Sequence, residues 1–190
     1  MKALFLLLLC LPYLLFSDQI LSLPLKSKET PSSSHVHVLI PSEFEESWKS
    51  SDHTTHEYKL QKESLAAWTQ IITVESIPRH PGMLDFYLRK HKIAIESLFS
   101  ASELERCVIT SHQDNGILVG HAYYRNPHYR VQSQDIDPLF KESMGMKLIQ
   151  GDMNLYRITY NIKYPKSSSP SQWEEKIQDF LDSCRILLSD

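Results

Sequence analysis

Nine histidines are the residues of this 190-residue chain most open to a chemical role: His35, His37, His53, His56, His80, His91, His112, His121 and His128. His35 and His37 stand two apart in HVHVLI, so on a strand both imidazoles share one face. Two such rings can hold Zn²⁺ or Cu²⁺ if a third ligand joins them. His53 and His56 share a face only in a turn. No HExxH or CxxC spacing occurs, and the histidines also suit scattered surface and boundary positions.

Other chemistry has less to stand on. No G-x-S-x-G elbow is present, so nothing in the sequence points to a catalytic residue or a cofactor. Asp135 and Asp137, with Asp114 and Asp152, read as solvated turns rather than a Ca²⁺ loop, because no EF-hand spacing follows. The five glycines form neither GxGxxG nor GxxxxGK[ST]. A formal charge of -3, from 20 basic and 23 acidic residues, gives no basic field for nucleic acid. Tyr123, Tyr124, Arg125, Tyr129 and Arg130 are a candidate protein or ligand interface, since tyrosine and arginine are the residues that anchor one.

The N-terminus carries an address. Lys2 precedes an apolar run from Ala3 to Phe16, too short for a comfortable membrane span. The pattern predicts a signal peptide over 1–17 with cleavage near Ser17, Ser22 being the fallback. Export to the periplasm or beyond follows, with no membrane span after cleavage. Losing Lys2 and Cys10 leaves 19 basic and 23 acidic residues, a charge of -4, and two cysteines. In an oxidising compartment Cys107 and Cys184 are expected to pair.

The elements that must position these residues follow from periodicity. Residues 18–34 read as a flexible polar leader, and 35–190 as one domain. Strands are expected at 35–40, 53–60, 68–77 and 146–150, with a loop or short helix at 42–52. Residues 107–112 and 117–125 flank Asn115-Gly116, a hairpin signal. An irregular connection over 131–141 follows. Leu155 to Tyr164 alternates strictly, which places Tyr156, Ile158, Tyr160 and Ile162 on a buried face. Apolar residues at helical spacing predict helices over 83–101, with His91 in its stripe, and 172–188, the latter opened by a capping box of Ser171 and Glu174. The class is α+β: a mostly antiparallel sheet covered by two amphipathic helices.

His56-Glu57-Tyr58-Lys59-Leu60, Lys62-Glu63-Ser64, Trp68 to Thr73, Cys107, Ile149 to Tyr156 and Phe180 to Cys184 occur in an order that resembles small exported proteins of Gram-negative bacteria. The resemblance spans about residues 53–188 and implies a PsbP/Mog1-like α/β/α sandwich with a binding or accessory role. It carries no catalytic residues. The expectation is therefore an exported, disulfide-stapled binding or accessory module of the bacterial envelope or secreted fraction, with an unknown protein or envelope partner. The alternative is an exported metal-binding or hydrolytic enzyme using part of the histidine set.

Overall fold

The computed structural model describes residues 18–24, 35–64, 67–78, 83–98, 106–114, 117–126, 129–131, 135–137, 139–151 and 154–187. Within them a seven-stranded antiparallel sheet runs in the order β3-β4-β5-β11-β10-β7-β6. Its strands are β3 (Phe44–Lys49), β4 (Thr55–Leu60), β5 (Gln70–Pro78), β6 (Arg106–Asp114), β7 (Ile117–Asn126), β10 (Phe140–Gln150) and β11 (Asn154–Pro165). A three-stranded sheet joins β1 (Gln19–Pro24), β2 (His35–Ile40) and β12 (Arg185–Leu187), while β8 (Tyr129–Val131) pairs with β9 (Asp135–Asp137). The helices are α1 (Met83–Leu98) and α2 (Pro170–Ser183). The protein is thus α+β, a mostly antiparallel sheet with two helices packed on it.

The alternation of β11 divides the core into two faces. Tyr156, Ile158, Tyr160, Ile162 and Tyr164 are buried with Val36, Val38, Ile40, Ile177, Phe180 and Leu181, so this face lies under α2 and the small sheet. Leu155 belongs to the other face, with Met144, Met146, Leu148, Ala122 and Tyr124 against Met83, Leu84 and Leu88 of α1. Period-2 side-chain direction makes both faces from one set of strands. The register expected for β11 holds: Tyr156, Ile158, Tyr160 and Ile162 are essentially inaccessible to solvent.

Several boundaries differ from expectation. Residues 44–49 are an edge strand, not a loop or short helix, and a bulge shifts its register between Glu46 and Trp48. The polar leader contributes β1, which pairs with β2 over six residues from Gln19↔Ile40 to Pro24↔His35. The connection expected to be irregular contains β9, and β10 starts at Phe140. α1 is described over Met83–Leu98, so its expected end at 101 lies outside the described residues, and α2 starts with Pro170 at its first turn, behind Ser169, without a side-chain cap. Proline suits that position because its missing N–H would have no helical partner. The Ser171 hydroxyl meets the Ser169 hydroxyl at 2.9 Å instead of forming the expected capping box. α2 stops at Ser183 because Cys184 is extended, and Arg185 to Leu187 then pair with His37 to His35.

The expected Cys107–Cys184 bridge is not seen among the described residues, and the Cys107 side chain lies outside them. Cys184 is a free, buried thiol whose Sγ–H donates to the Phe180 carbonyl at 3.4 Å. It lies in the core under α2. Cys107 pairs in register with Tyr124, and Tyr124 packs in the opposite core, under α1. β6 is moreover two strands away from β10, whose Lys147 reaches the Cys184 carbonyl.

Candidate functional site

α2 can lie directly on the sheet because β10 carries Gly145 beneath it. A Cβ at Gly145 would overlap Ile177 Cγ2 and sit 2.9 Å from Leu181 Cδ1. Two residues on, Lys147 fixes the end of the helix: its Nζ donates to the carbonyls of Leu181 at 3.0 Å and Cys184 at 2.8 Å. α2 has no basic residue in its own last turn, so this ammonium from β10 supplies the cation that complements the helix C-terminus. At the other end Glu174 forms an ion pair with Arg125 of β7.

Between these two fastenings the β6–β7 hairpin diverges from α2 and leaves a cleft of about 640 Å³. Val108, Thr110 and His112 of β6 and His121 and Tyr123 of β7 form its floor. Ser171, Glu174, Glu175, Gln178 and Asp182 line the helix side. Their spacing is that of a single helical face.

Two stacked imidazoles mark the floor. The rings of His112 and His121 lie 5.3 Å apart between centroids and 16° from parallel. Burial holds the His121 imidazolium below the usual histidine range; Lys147 and His112 push the same way, while Asp182 opposes them. His121 is therefore neutral at pH 7. Beside it the Tyr123 hydroxyl donates to Ser143 Oγ at 3.3 Å, and Ser143 in turn meets the Tyr164 hydroxyl at 3.1 Å. This ties the cleft floor to the core, where Trp173 of α2 stacks on Tyr164.

The residues singled out by sequence separate in space. Tyr123 and Arg125 lie on the cleft side, whereas Tyr124 is buried under α1, so the three do not form one surface. Tyr129 and Arg130 form β8, and their side chains lie outside the described residues, as does that of His91. His35 and His37 share the outer face of β2, with ring centroids 6.4 Å apart. No group of three or more His, Cys, Asp or Glu that could hold a metal occurs among the described residues. No described helix is long and apolar enough to cross a membrane.

The histidine spacing alone does not suggest the His112–His121 pair, but the hairpin signal does. The register of β6 and β7 sets Asp114 opposite Ile117, and hence His112 opposite Val119 and Thr110 opposite His121. The two histidines are then diagonal neighbours on one face.

No protein-family model matches the chain, nor does any curated protein sequence. Among solved structures it is weakly similar to the protein Mog1, solved as a point mutant. That match has 14% identity and a TM-score of 0.49, and covers 92% of this chain and 97% of that one. A crystal structure from Bacteroides thetaiotaomicron matches at 9% identity and a TM-score of 0.43, over 88% of this chain. The match covers 50% of that longer chain.

Proposed function

We propose that the protein is an exported binding or accessory module without catalysis of its own, and that it receives its ligand in the cleft between α2 and the β6–β7 hairpin. The observation that carries this reading is the cleft itself. It is large enough for a small ligand or a peptide segment, and its walls offer hydroxyls, imidazoles, an amide and carboxylates on rigid elements. Export is supported by Lys2 and the apolar run that follows. Cleavage near Ser17 leaves β1 whole, whereas the Ser22 fallback would cut through its pairing with β2. Intact mass of the exported protein tests this: a mass retaining residues 1–16 overturns it.

The cleft is tested by the imidazole proton resonances of His112 and His121 in the full chain. A library of small acids, amines, sugars and short peptides is titrated in. Ligands that move both resonances, and lose that effect in Val108→Trp, support the reading. A library that moves neither resonance overturns it.

A further inference from the structure

We infer that the cleft, together with the outer edge of β6, takes an extended segment of a partner protein bearing lysine or arginine, which pairs with β6 as an added strand. This rests on the cleft being the binding site and adds what occupies it.

β6 is the terminal strand of the seven, and among the described residues it pairs with β7 alone. Alternate residues of this nine-residue strand thus present outward N–H and C=O groups, the template that strand addition uses. No proline interrupts it, and Val108 is 41% exposed on the cleft side. A strand laid beside β6 would run about 4.8 Å from it and send every second side chain over Val108, Thr110 and His112 toward α2.

The charge of the groove selects the partner. Among the described residues its lining holds three carboxylates, Glu174, Glu175 and Asp182, and no lysine or arginine. Glu174 is engaged by Arg125, and Lys147, which keeps its charge while donating to the carbonyls at the end of α2, stands outside the lining. Asp182 accepts from Gln178 Nε2 at 2.9 Å, a neutral partner that leaves its charge in place. The neutral His121 offsets nothing. Glu175 and Asp182 remain, exposed on one side of the cleft, about 10.5 Å apart along the helix axis. Two lysines on one face of a strand, two or four positions apart, span about 7 or 13 Å and reach that distance with flexible stems. A low-dielectric cleft lined by one sign of charge focuses its field on such cations. A second copy of this chain is the poorer occupant. Pairing β6 with β6 about an axis perpendicular to the sheet would bring two acidic α2 faces to one groove.

The test uses the full chain and a labelled eight-residue peptide of alternating threonine and lysine, read by fluorescence anisotropy. Three controls replace lysine by glutamate, replace it by serine, or methylate alternate backbone nitrogens. The lysine peptide is expected to saturate, with about tenfold weaker binding to the Glu175→Gln/Asp182→Asn variant, consistent with two partly exposed charge pairs. Backbone methylation is expected to weaken binding by a similar factor. Equal binding of the methylated peptide overturns strand addition. Equal or tighter binding of the glutamate or serine peptide overturns the charge argument, while leaving the cleft as a binding site. If no peptide binds while other ligands still move the His112 and His121 resonances, the inference fails and the broader reading stands. Sedimentation of the chain as a dimer that Val108→Lys splits overturns it in favour of a second copy.

Discussion

The two faces of the seven-stranded sheet are covered differently. Under α2 and the small sheet, the core runs without a break from Val36 of β2 through Tyr160 to Phe180, and α2 is fastened by Lys147. Under α1 the core is smaller among the described residues, and the outer side of the helix leaves Phe86 and Ile93 more than half exposed. A glycine lies beneath each helix, but at different clearances. The Gly145 position is already filled by Ile177, while a Cβ at Gly120 would find the tips of Leu88 at 3.0 Å and Leu84 at 3.2 Å. The α2 face is therefore the rigid one, and a site built on α2 inherits that rigidity.

The largest contrast is expected from aromatic truncation. Phe180 is 6% exposed and packs edge-on against Tyr160, so Phe180→Ala should cost about 3–5 kcal/mol in urea unfolding. Phe86 is 55% exposed, and Phe86→Ala should cost less than about 1 kcal/mol. Equal losses would break the comparison. Next in size, Gly145→Ala should cost about 2–3 kcal/mol, because Ile177 and α2 must shift bodily. Gly120→Ala should cost about 1 kcal/mol or less, since only leucine tips need to give. Lys147→Met should cost about 2 kcal/mol by removing two charge-assisted hydrogen bonds from the end of α2. Its sharper readout is Cys184. Burial pushes that thiol up to about 12, so it should label slowly in a chain whose Cys10 and Cys107 are serines. Lys147→Met should speed the labelling as the helix end opens; an unchanged rate would mean that Lys147 does not hold it.

Much of this arrangement was legible in the sequence, and the exceptions have physical reasons. The alternation of β11 survives because one side of it is uniformly apolar. β10 is adjacent to it and also buried, yet periodicity does not mark its first half as a strand. Its inward positions are Ser143, Gly145 and Lys147, each set by another element: two tyrosine hydroxyls, the approach of Ile177, and the carbonyls of α2. Such residues look like a loop until their partners are known. β3 was missed because an edge strand with a bulge buries little beyond Phe44. The periodicity runs the second helix on through β12 because three residues do not distinguish a period of 3.6 from one of 2. At the site, the hairpin turn determined the His112–His121 pair, but the opposing acidic face of α2 depended on where the helix docked.

The smallest expected effect separates the faces by sign. His121, on the α2 side, has its pKa lowered first by burial and then by Lys147 and His112. In the unfolded chain it protonates near 6.5. Between those two values the unfolded state binds more protons, so stability falls as pH drops below about 6.5. Glu142, on the α1 side of β10, has its pKa raised, first by burial, against the hydrogen bond from Asn161 and the charge of Lys163. Its neutral form is the one the fold prefers. The stability it contributes is present below the unfolded value near 4.5 and is lost as pH rises through the folded value. The two groups therefore tilt the stability profile in opposite directions. His121→Gln should flatten the loss below pH 6.5, and Glu142→Gln should raise stability at pH 7 more than at pH 4. Glu57, raised by burial and by Glu75, tilts the same way as Glu142, so the single variants and not the wild-type curve carry the comparison. Urea midpoints across pH 4–8 measure both. Two variants that change the slope with the same sign would remove the electrostatic half of the contrast and leave only the packing.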